Sequence, residues 1–159
     1  MPENIFKHIA LDILRLHQQT CRSLLATQCR HCTEVCEVPF VTLDGRYYVL
    51  LPQAPDADDP QAGILLIEAD DAQARLSWVA TTRAVQQKSS LYRRAIEALQ
   101  RRVQHGKHSL TQAANACLLE LTPQQGRLTL QQDYDFTLSS ADLVKALYPA
   151  HHTIGALSM

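Results

Sequence analysis

The sequence predicts a mainly β fold with some α-helix, in the form of an antiparallel barrel with helices packed on its outside. Six or more short apolar runs are bounded by turn residues, a pattern typical of strands joined by hairpins. Two or three other segments carry apolar residues at helical spacing. Strands do not alternate with long helices, and no GxGxxG or GxxxxGKS/T phosphate-binding loop occurs. A doubly wound nucleotide-binding fold is therefore not expected.

The composition is that of one globular domain with a short tail. The chain has 159 residues, of which 46% are apolar, and its net charge is -1. We place the domain at residues 1–147 and the tail at residues 148–159. The balanced charge argues against nucleic-acid binding, and no apolar run reaches the roughly 20 residues that cross a bilayer. Because no basic stretch precedes an apolar run at the start, we expect no secretory signal and a cytoplasmic protein.

The N-terminal third predicts one helix and three strands. Residues 3–20 predict an amphipathic helix, because apolar side chains recur at helical spacing. This apolar stripe consists of Ile5, Ile9, Ile13 and Leu16. The predicted strands are residues 22–27, 34–42 and 46–51. Asp44 and Gly45 lie between the second and third strands, and an Asp-Gly pair in that place predicts a tight hairpin turn.

The middle of the chain predicts a loop, two strands and a second helix. Residues 52–62 contain three prolines and three aspartates, which predict a solvated loop. Strands are predicted at 64–68 and 75–85, with Trp78 in the core or at a dimer interface. Residues 89–104 predict a helix. Its arginines form either an anion-binding patch or, as we expect, a solvated face; they are Arg93, Arg94, Arg101 and Arg102.

The C-terminal part predicts two more strands and a short helix. Strands at 117–121 and 127–131 flank a predicted turn at 122–126. Residues 141–147 predict a helix that Pro149 ends.

Five cysteines are present, and three of them lie close together with a histidine. Cys29, His31, Cys32 and Cys36 would supply three sulfur ligands and one nitrogen ligand, as in a tetrahedral zinc site. Structural zinc sites usually combine two short-spaced ligand pairs from separate segments, and no second pair follows here. We therefore expect a thiol-rich turn with no metal, and the zinc site is the alternative.

The order of several motifs resembles a known family. Pro39 to Val41, the turn at Asp44 and Gly45, and the run from Arg46 to Leu51 are similar to the opening hairpin of the HugZ-like haem-utilisation proteins. These proteins belong to the pyridoxamine-phosphate-oxidase-like split barrels. Later stretches agree in order; they are Ile64 to Glu68, the strand from Arg75, the helix with Tyr92, Arg93 and Arg94, and Cys117 to Pro123 followed by Gly126 and Arg127.

The resemblance implies a six-stranded antiparallel split barrel with flanking helices that works as a homodimer. Members of the family bind FMN or haem in the groove between subunits, and some take part in haem breakdown or iron release. FMN-binding relatives hold the phosphate partly with the segment after the third strand. Here that segment is 52–62, which has no basic residue, and its aspartates would repel a phosphate. Arg46 and Arg83 are the remaining basic candidates for cofactor binding.

Haem depends less on that segment, because it needs an axial ligand and an apolar slot. In HugZ-like proteins a histidine of a C-terminal segment can serve as this ligand. His151 and His152 stand at a comparable place, and an unstructured polar tail is the alternative. His105 and His108 are the second option, with an exposed loop as the alternative.

These observations leave three functional hypotheses. The first is a dimeric split barrel that binds haem in haem utilisation or iron handling. The second is an FMN-dependent oxidoreductase of the same fold, and the third is an interaction protein without a cofactor. No catalytic residue can be assigned, because the sequence contains neither GxSxG nor HExxH.

Overall fold

A computed structural model describes most of the chain. The described residues are 3–19, 22–28, 33–52, 61–71, 73–104, 116–131 and 134–148. In chain order the elements are α1 (Glu3–Gln19), β1 (Arg22–Gln28), β2 (Thr33–Leu43), β3 (Arg46–Leu51), β4 (Gln61–Glu68), β5 (Ala74–Ala84), α2 (Ser90–Gln104), β6 (Cys117–Leu130), β7 (Tyr134–Ser139) and α3 (Ser140–Leu147). No helix in these ranges is long and apolar enough to span a membrane.

Six strands form a closed antiparallel barrel, which confirms the predicted fold class. The sheet runs in the order β3-β2-β1-β4-β5-β6-β7, and β3 also pairs with β6. The first half of β6 closes the ring against β3, from the pair Tyr47–Leu121 to the pair Leu51–Cys117. Its second half pairs instead with β7. The barrel is therefore split at the point along β6 where pairing with β3 ends and pairing with β7 begins.

The hairpin between β2 and β3 follows the sequence prediction. Asp44 and Gly45 both have positive φ, 55° and 80°, as a type I′ turn requires. A β-carbon on Gly45 would lie 2.9 Å from the Val144 side chain of α3. This turn therefore also serves as a contact surface for the last helix.

The predicted turn at residues 122–126 is wrong, because β6 runs through it without a break. Pro123 is tolerated inside the strand since neither β3 nor β7 pairs with residues 122–124. Strand β6 has one extra residue here, Gln124, which forms a bulge: Val79 faces Gln125 and the next residue, Ala80, faces Pro123. The prediction also omitted β7, which continues the sheet from β6.

The Trp78 side chain explains why residue 126, which was predicted to be part of a turn, is a glycine. The indole is fully buried in the barrel, which confirms the core alternative predicted for it, and it lies against Gly126 on the neighbouring strand. A β-carbon on Gly126 would lie 2.5 Å from the Trp78 ring. Gly126 is therefore required for the space that it leaves and not for a turn.

The barrel core is mainly apolar and includes a polar network around His17; Ser23 and Thr82 are also buried. The interior is closed by side chains of α1 and α3, which are Ile9, Ile13, Leu16, Leu143 and Ala146. His17 Nδ1 lies 2.7 Å from the Ile13 carbonyl oxygen and therefore donates to it, so Nε2 accepts the Tyr47 hydroxyl at 2.7 Å. Arg102 donates to the His17 carbonyl and covers the Phe40 ring, which ties α2 to the end of α1.

Burial lowers the pKa of His17 to about 4, with the charge of Arg102 acting in the same direction. The ordinary value in an unfolded chain is 6.5. Between these two values the unfolded state binds more protons than the folded state, so the free energy of unfolding rises with pH there. We expect His17 to contribute about 3 kcal/mol to the rise. Urea unfolding from pH 4 to 7 should show this contribution in the wild type and in His8→Gln, and its loss in His17→Gln; equal slopes in all three proteins would contradict it.

Gly126→Ala should destabilise the fold by about 1–3 kcal/mol, because the new methyl group overlaps the Trp78 ring. The free energy of unfolding in urea measures the loss, with Gln125→Ala on the exposed face of the same strand as the matched control. Adding Trp78→Leu to Gly126→Ala should recover part of the overlap cost in a double-mutant cycle. An unchanged stability of Gly126→Ala would show that the indole does not pack as described.

Candidate functional site

One row of polar side chains lies abreast on the outer face of the barrel. Tyr48 of β3 pairs with Glu120 of β6, and Glu120 pairs on its other side with Arg83 of β5. Side chains alternate between the two faces of a strand. Because Tyr47 and Leu121 point into the core, their neighbours Tyr48 and Glu120 point outward. Closure of the barrel therefore brings together three residues that are far apart in the sequence.

Glu120 is a carboxylate with little access to solvent, and two groups hold it. The Tyr48 hydroxyl donates to Glu120 Oε2 at 2.9 Å, and Arg46 Nη1 lies 3.7 Å from the same oxygen. The Glu120 residue is 9% exposed, whereas half of the Arg46 side chain is exposed. Burial and the adjacent Glu120 raise the pKa of Tyr48 to about 12, so this phenol stays protonated and donates.

Arg83 adds a second positive charge to this cluster. Its side chain is exposed on the outer face and makes no ion pair or hydrogen bond with any residue that the structure describes. Glu120 offsets one of the two guanidinium charges, so the cluster of Arg46, Tyr48, Arg83 and Glu120 carries a net positive charge. We call it the Tyr48–Glu120 cluster. Such an arrangement can bind a carboxylate or phosphate group.

Helix α2 borders the cluster and covers its apolar side. Tyr48 packs with Leu50 and Leu118 under three residues of α2, which are Ala95, Ile96 and Leu99. The arginines of α2 do not form an anion-binding patch of four. Arg94 lies 3.7 Å from Asp44, Arg101 lies 3.8 Å from Glu97, and Arg102 contacts Phe40 and His17. The expected solvated face describes this helix except at Arg102, which is half-buried.

The predicted cofactor residues have different outcomes. Arg46 and Arg83 belong to the Tyr48–Glu120 cluster, although the sequence offered them only as isolated candidates. His151, His152, His105 and His108 lie outside the described residues. Tyr48 and Glu120 were not singled out as site residues. The available signal was Glu120 itself, the one acid within the apolar strand from Cys117 to Leu121.

The described part of the chain contains no group of three or more His, Cys, Asp or Glu residues that could hold a metal ion. Cys29, His31 and Cys32 lie outside it, so the zinc alternative is not tested. Cys36 and Cys117 are free, half-buried thiols, and burial raises the pKa of Cys117.

Comparison with known proteins identifies the fold. No protein-family model and no curated protein matches the sequence. HutZ, the haem storage protein of Vibrio cholerae, is 22% identical with a TM-score of 0.61, over 76% of this chain and 93% of HutZ. A haem binding protein of Mycobacterium smegmatis is 16% identical with a TM-score of 0.66, over 84% of this chain and 59% of that protein. A Clostridium acetobutylicum protein of the pyridoxinephosphate oxidase family, related to general stress protein 26, is 11% identical with a TM-score of 0.64, over 86% of this chain and 98% of that protein.

These likenesses confirm the split-barrel fold of the HugZ-like and pyridoxamine-phosphate-oxidase-like proteins. At 22% identity or less they show the fold and not the activity. This chain spans less than two thirds of the mycobacterial protein. Haem is therefore a property of two of these neighbours, and its transfer to this chain is a proposal.

Tyr48→Phe should destabilise the protein by about 1–3 kcal/mol, because it leaves a buried carboxylate without its neutral hydrogen-bond donor. Thermal and urea unfolding measure this loss. Tyr134→Phe is the control, since Tyr134 is exposed and its hydroxyl should matter by less than about 0.5 kcal/mol. A loss no larger than that of the control would mean that solvent replaces the Tyr48 hydroxyl at Glu120.

Proposed function

We propose that this protein binds haem on the outer face of the barrel, with Arg83 and Arg46 of the Tyr48–Glu120 cluster facing the haem propionates. The observation that carries the proposal is Arg83. Its guanidinium has no partner among the described residues, and it stands beside a carboxylate that Tyr48 and Arg46 already hold. An arginine in this position is available for an anionic ligand.

The surface next to the cluster suits the apolar part of haem. Along β5 the outward residues are Arg83, Thr81 and Val79, so the same strand leads from a positive charge to an exposed apolar side chain. Haem has a flat apolar ring with two carboxylates at one edge. A face with charge at one end and apolar surface at the other matches that distribution.

The described residues contain two histidines, His8 and His17, and neither belongs to the Tyr48–Glu120 cluster. A histidine that serves as the axial ligand at this site therefore comes from the other residues of the chain. His17 is excluded, since both of its ring nitrogens are hydrogen-bonded inside the barrel. The backbone N–H of Gly45 donates to the Tyr148 hydroxyl at 3.3 Å, which holds the end of α3 beside the start of β3. His151 follows three residues later, within about 11 Å of Tyr148 along the chain. The proposal therefore assigns the ligand to His151 or His152, with His108 as the alternative.

Bound haem would supply an iron centre whose ligand and burial set its redox behaviour. The residues of this chain would hold the propionates, orient the ring on the outer face and keep Glu120 from repelling it. A homodimer with haem in the groove between subunits is part of the proposal, as the family resemblance implies.

FMN is the second candidate cofactor, because one structural neighbour belongs to the pyridoxinephosphate oxidase family. Its phosphate would face the same two arginines. The aspartates of residues 52–62 disfavour it, as the sequence already indicated. Haem is therefore the first choice, and FMN binding is an outcome of the same experiment.

Haemin titration followed by Soret absorbance, with FMN in parallel, tests the proposal. We expect saturable haemin binding that Arg83→Ala weakens about tenfold, the equivalent of about 1.4 kcal/mol, by removing a charge-assisted contact. Arg101→Ala on the exposed face of α2 is the control and should bind as the wild type does. Haemin dimethyl ester, which lacks the propionate charges, should bind equally to wild type and Arg83→Ala. The double variant His151→Ala/His152→Ala should lose the Soret shift.

Three results would redirect the proposal. A Soret shift that persists in the double variant but not in His108→Ala would assign the ligand to His108. Quenched FMN fluorescence without haemin binding would favour the oxidoreductase. No binding of either ligand would leave the interaction protein without a cofactor.

A further inference from the structure

Glu120 stands between the two arginines of the Tyr48–Glu120 cluster. Strand β6, which carries Glu120, lies between β3 with Arg46 and β5 with Arg83. Arg46 Nη1 lies 3.7 Å from Glu120 Oε2. On the other side Arg83 is the register partner of Glu120, and the β-carbons of such a pair lie about 5 Å apart. A group that contacted both guanidinium groups would therefore lie against the Glu120 carboxylate.

This carboxylate is held in place and has little contact with water. Glu120 is 9% exposed, and the Tyr48 hydroxyl donates to its Oε2 at 2.9 Å. Its outward neighbours on the side of α2 are Leu118 and Leu50, which this helix buries, so that side of the carboxylate is apolar. A charge with little hydration is screened less than one in open solvent. Glu120 therefore places a fixed negative charge at the centre of a cluster that is otherwise positive.

The distribution of charge on a ligand decides how strongly Glu120 opposes it. Coulomb repulsion is proportional to the charge of the bound group and falls with its distance. A phosphate dianion carries both of its charges at one place, and it can use both arginines only where it lies against Glu120. Two separate carboxylates can instead bind Arg46 and Arg83 from opposite sides. The arrangement therefore opposes one phosphate more than two spaced carboxylates.

We infer that Glu120 is a specificity-determining residue, which favours a ligand with separate carboxylates over a ligand with a phosphate. The inference rests on the proposed function for the identity of the ligand, because haem carries two propionates and FMN carries one phosphate. Glu120 acts by repulsion of the wrong ligand and not by a contact with the right one. It places this discrimination within the barrel itself, in addition to the aspartates of residues 52–62.

NMR titration of the full chain without any cofactor tests the inference. The two probes are inorganic phosphate and suberate, a flexible linear dicarboxylate, at about pH 8, where phosphate is mainly a dianion. Both probes then carry the same total charge, and sodium chloride keeps the ionic strength constant. The side-chain Nε–H signal of Arg83 reports binding at the cluster. The quantity compared between variants is the ratio of the association constants of phosphate and suberate.

Glu120→Gln removes the charge and keeps an acceptor for the Tyr48 hydroxyl. We expect phosphate to associate about tenfold more tightly and suberate about threefold, so the ratio rises about threefold. Glu34→Gln is the matched control, because it makes the same change of net charge at an exposed position on β2. An unchanged ratio in Glu120→Gln overturns the inference, and so does an equal rise in Glu34→Gln.

Thr81→Glu is the second variant and guards against a folding defect at position 120. Thr81 is exposed and lies two residues before Arg83, on the same face of β5. A carboxylate added there should lower the ratio about threefold, and a ratio at or above that of the wild type overturns the inference. Circular dichroism and the urea midpoint show whether each variant is folded.

The test separates this inference from the proposed function, since no haem is present in it. A failed haemin titration together with the expected ratios would reject the proposed haem site and leave the role of Glu120 standing. Saturable haemin binding with unchanged ratios would reject the role of Glu120 alone.

Discussion

The five residue pairs between β3 and the first half of β6 close the barrel, and they decide which side chains face inward and which face outward. Tyr47 turns in and meets His17 within a core that includes Trp78, whereas Tyr48 turns out and donates to Glu120. A slip of one residue in this pairing would exchange the two faces. It would bury a carboxylate in an apolar core and expose the tyrosine that anchors α1. The polar network inside and the polar cluster outside therefore depend on the same register.

The sequence predicted those elements whose conformation depends on nearby residues alone. The Asp44–Gly45 turn follows from the two positive φ angles that it needs, and helix α1 follows from the spacing of its isoleucines. Residues 122–126 were misjudged because Pro123 and Gly126 are ordinary turn residues. Both residues are instead explained by tertiary structure. Pro123 lies where one edge of β6 has no partner strand, and Gly126 leaves space for the indole of Trp78. Neither reason is visible without the pairing.

The candidate site, too, depends on contacts between strands that are distant in the sequence. Arg46 and Arg83 could be picked out as basic residues on strands, but their common neighbour Glu120 could not. Its proximity depends on strands β3, β5 and β6 meeting, with 32 residues, which include α2, between the end of β5 and the start of β6. The exposed apolar side chain of Ile64 could be predicted in part, since Ile64 to Ile67 is a continuous apolar run on β4. Periodicity gives the number of covered faces of a strand but not what covers them.

The outer face of β5 carries both features on which the proposed haem site rests, the positive cluster around Arg83 and the exposed apolar side chain of Val79. The most direct measurement of the central claim is residue-resolved NMR of the labelled protein with ferric haemin, whose paramagnetic iron broadens nearby signals. The account predicts broadening of the amides of Arg46, Arg83 and Glu120, while those of His8 and Leu11 on the exposed side of α1 keep their intensity. Broadening centred on α1, or uniform broadening over the whole chain, would contradict a haem site on this face.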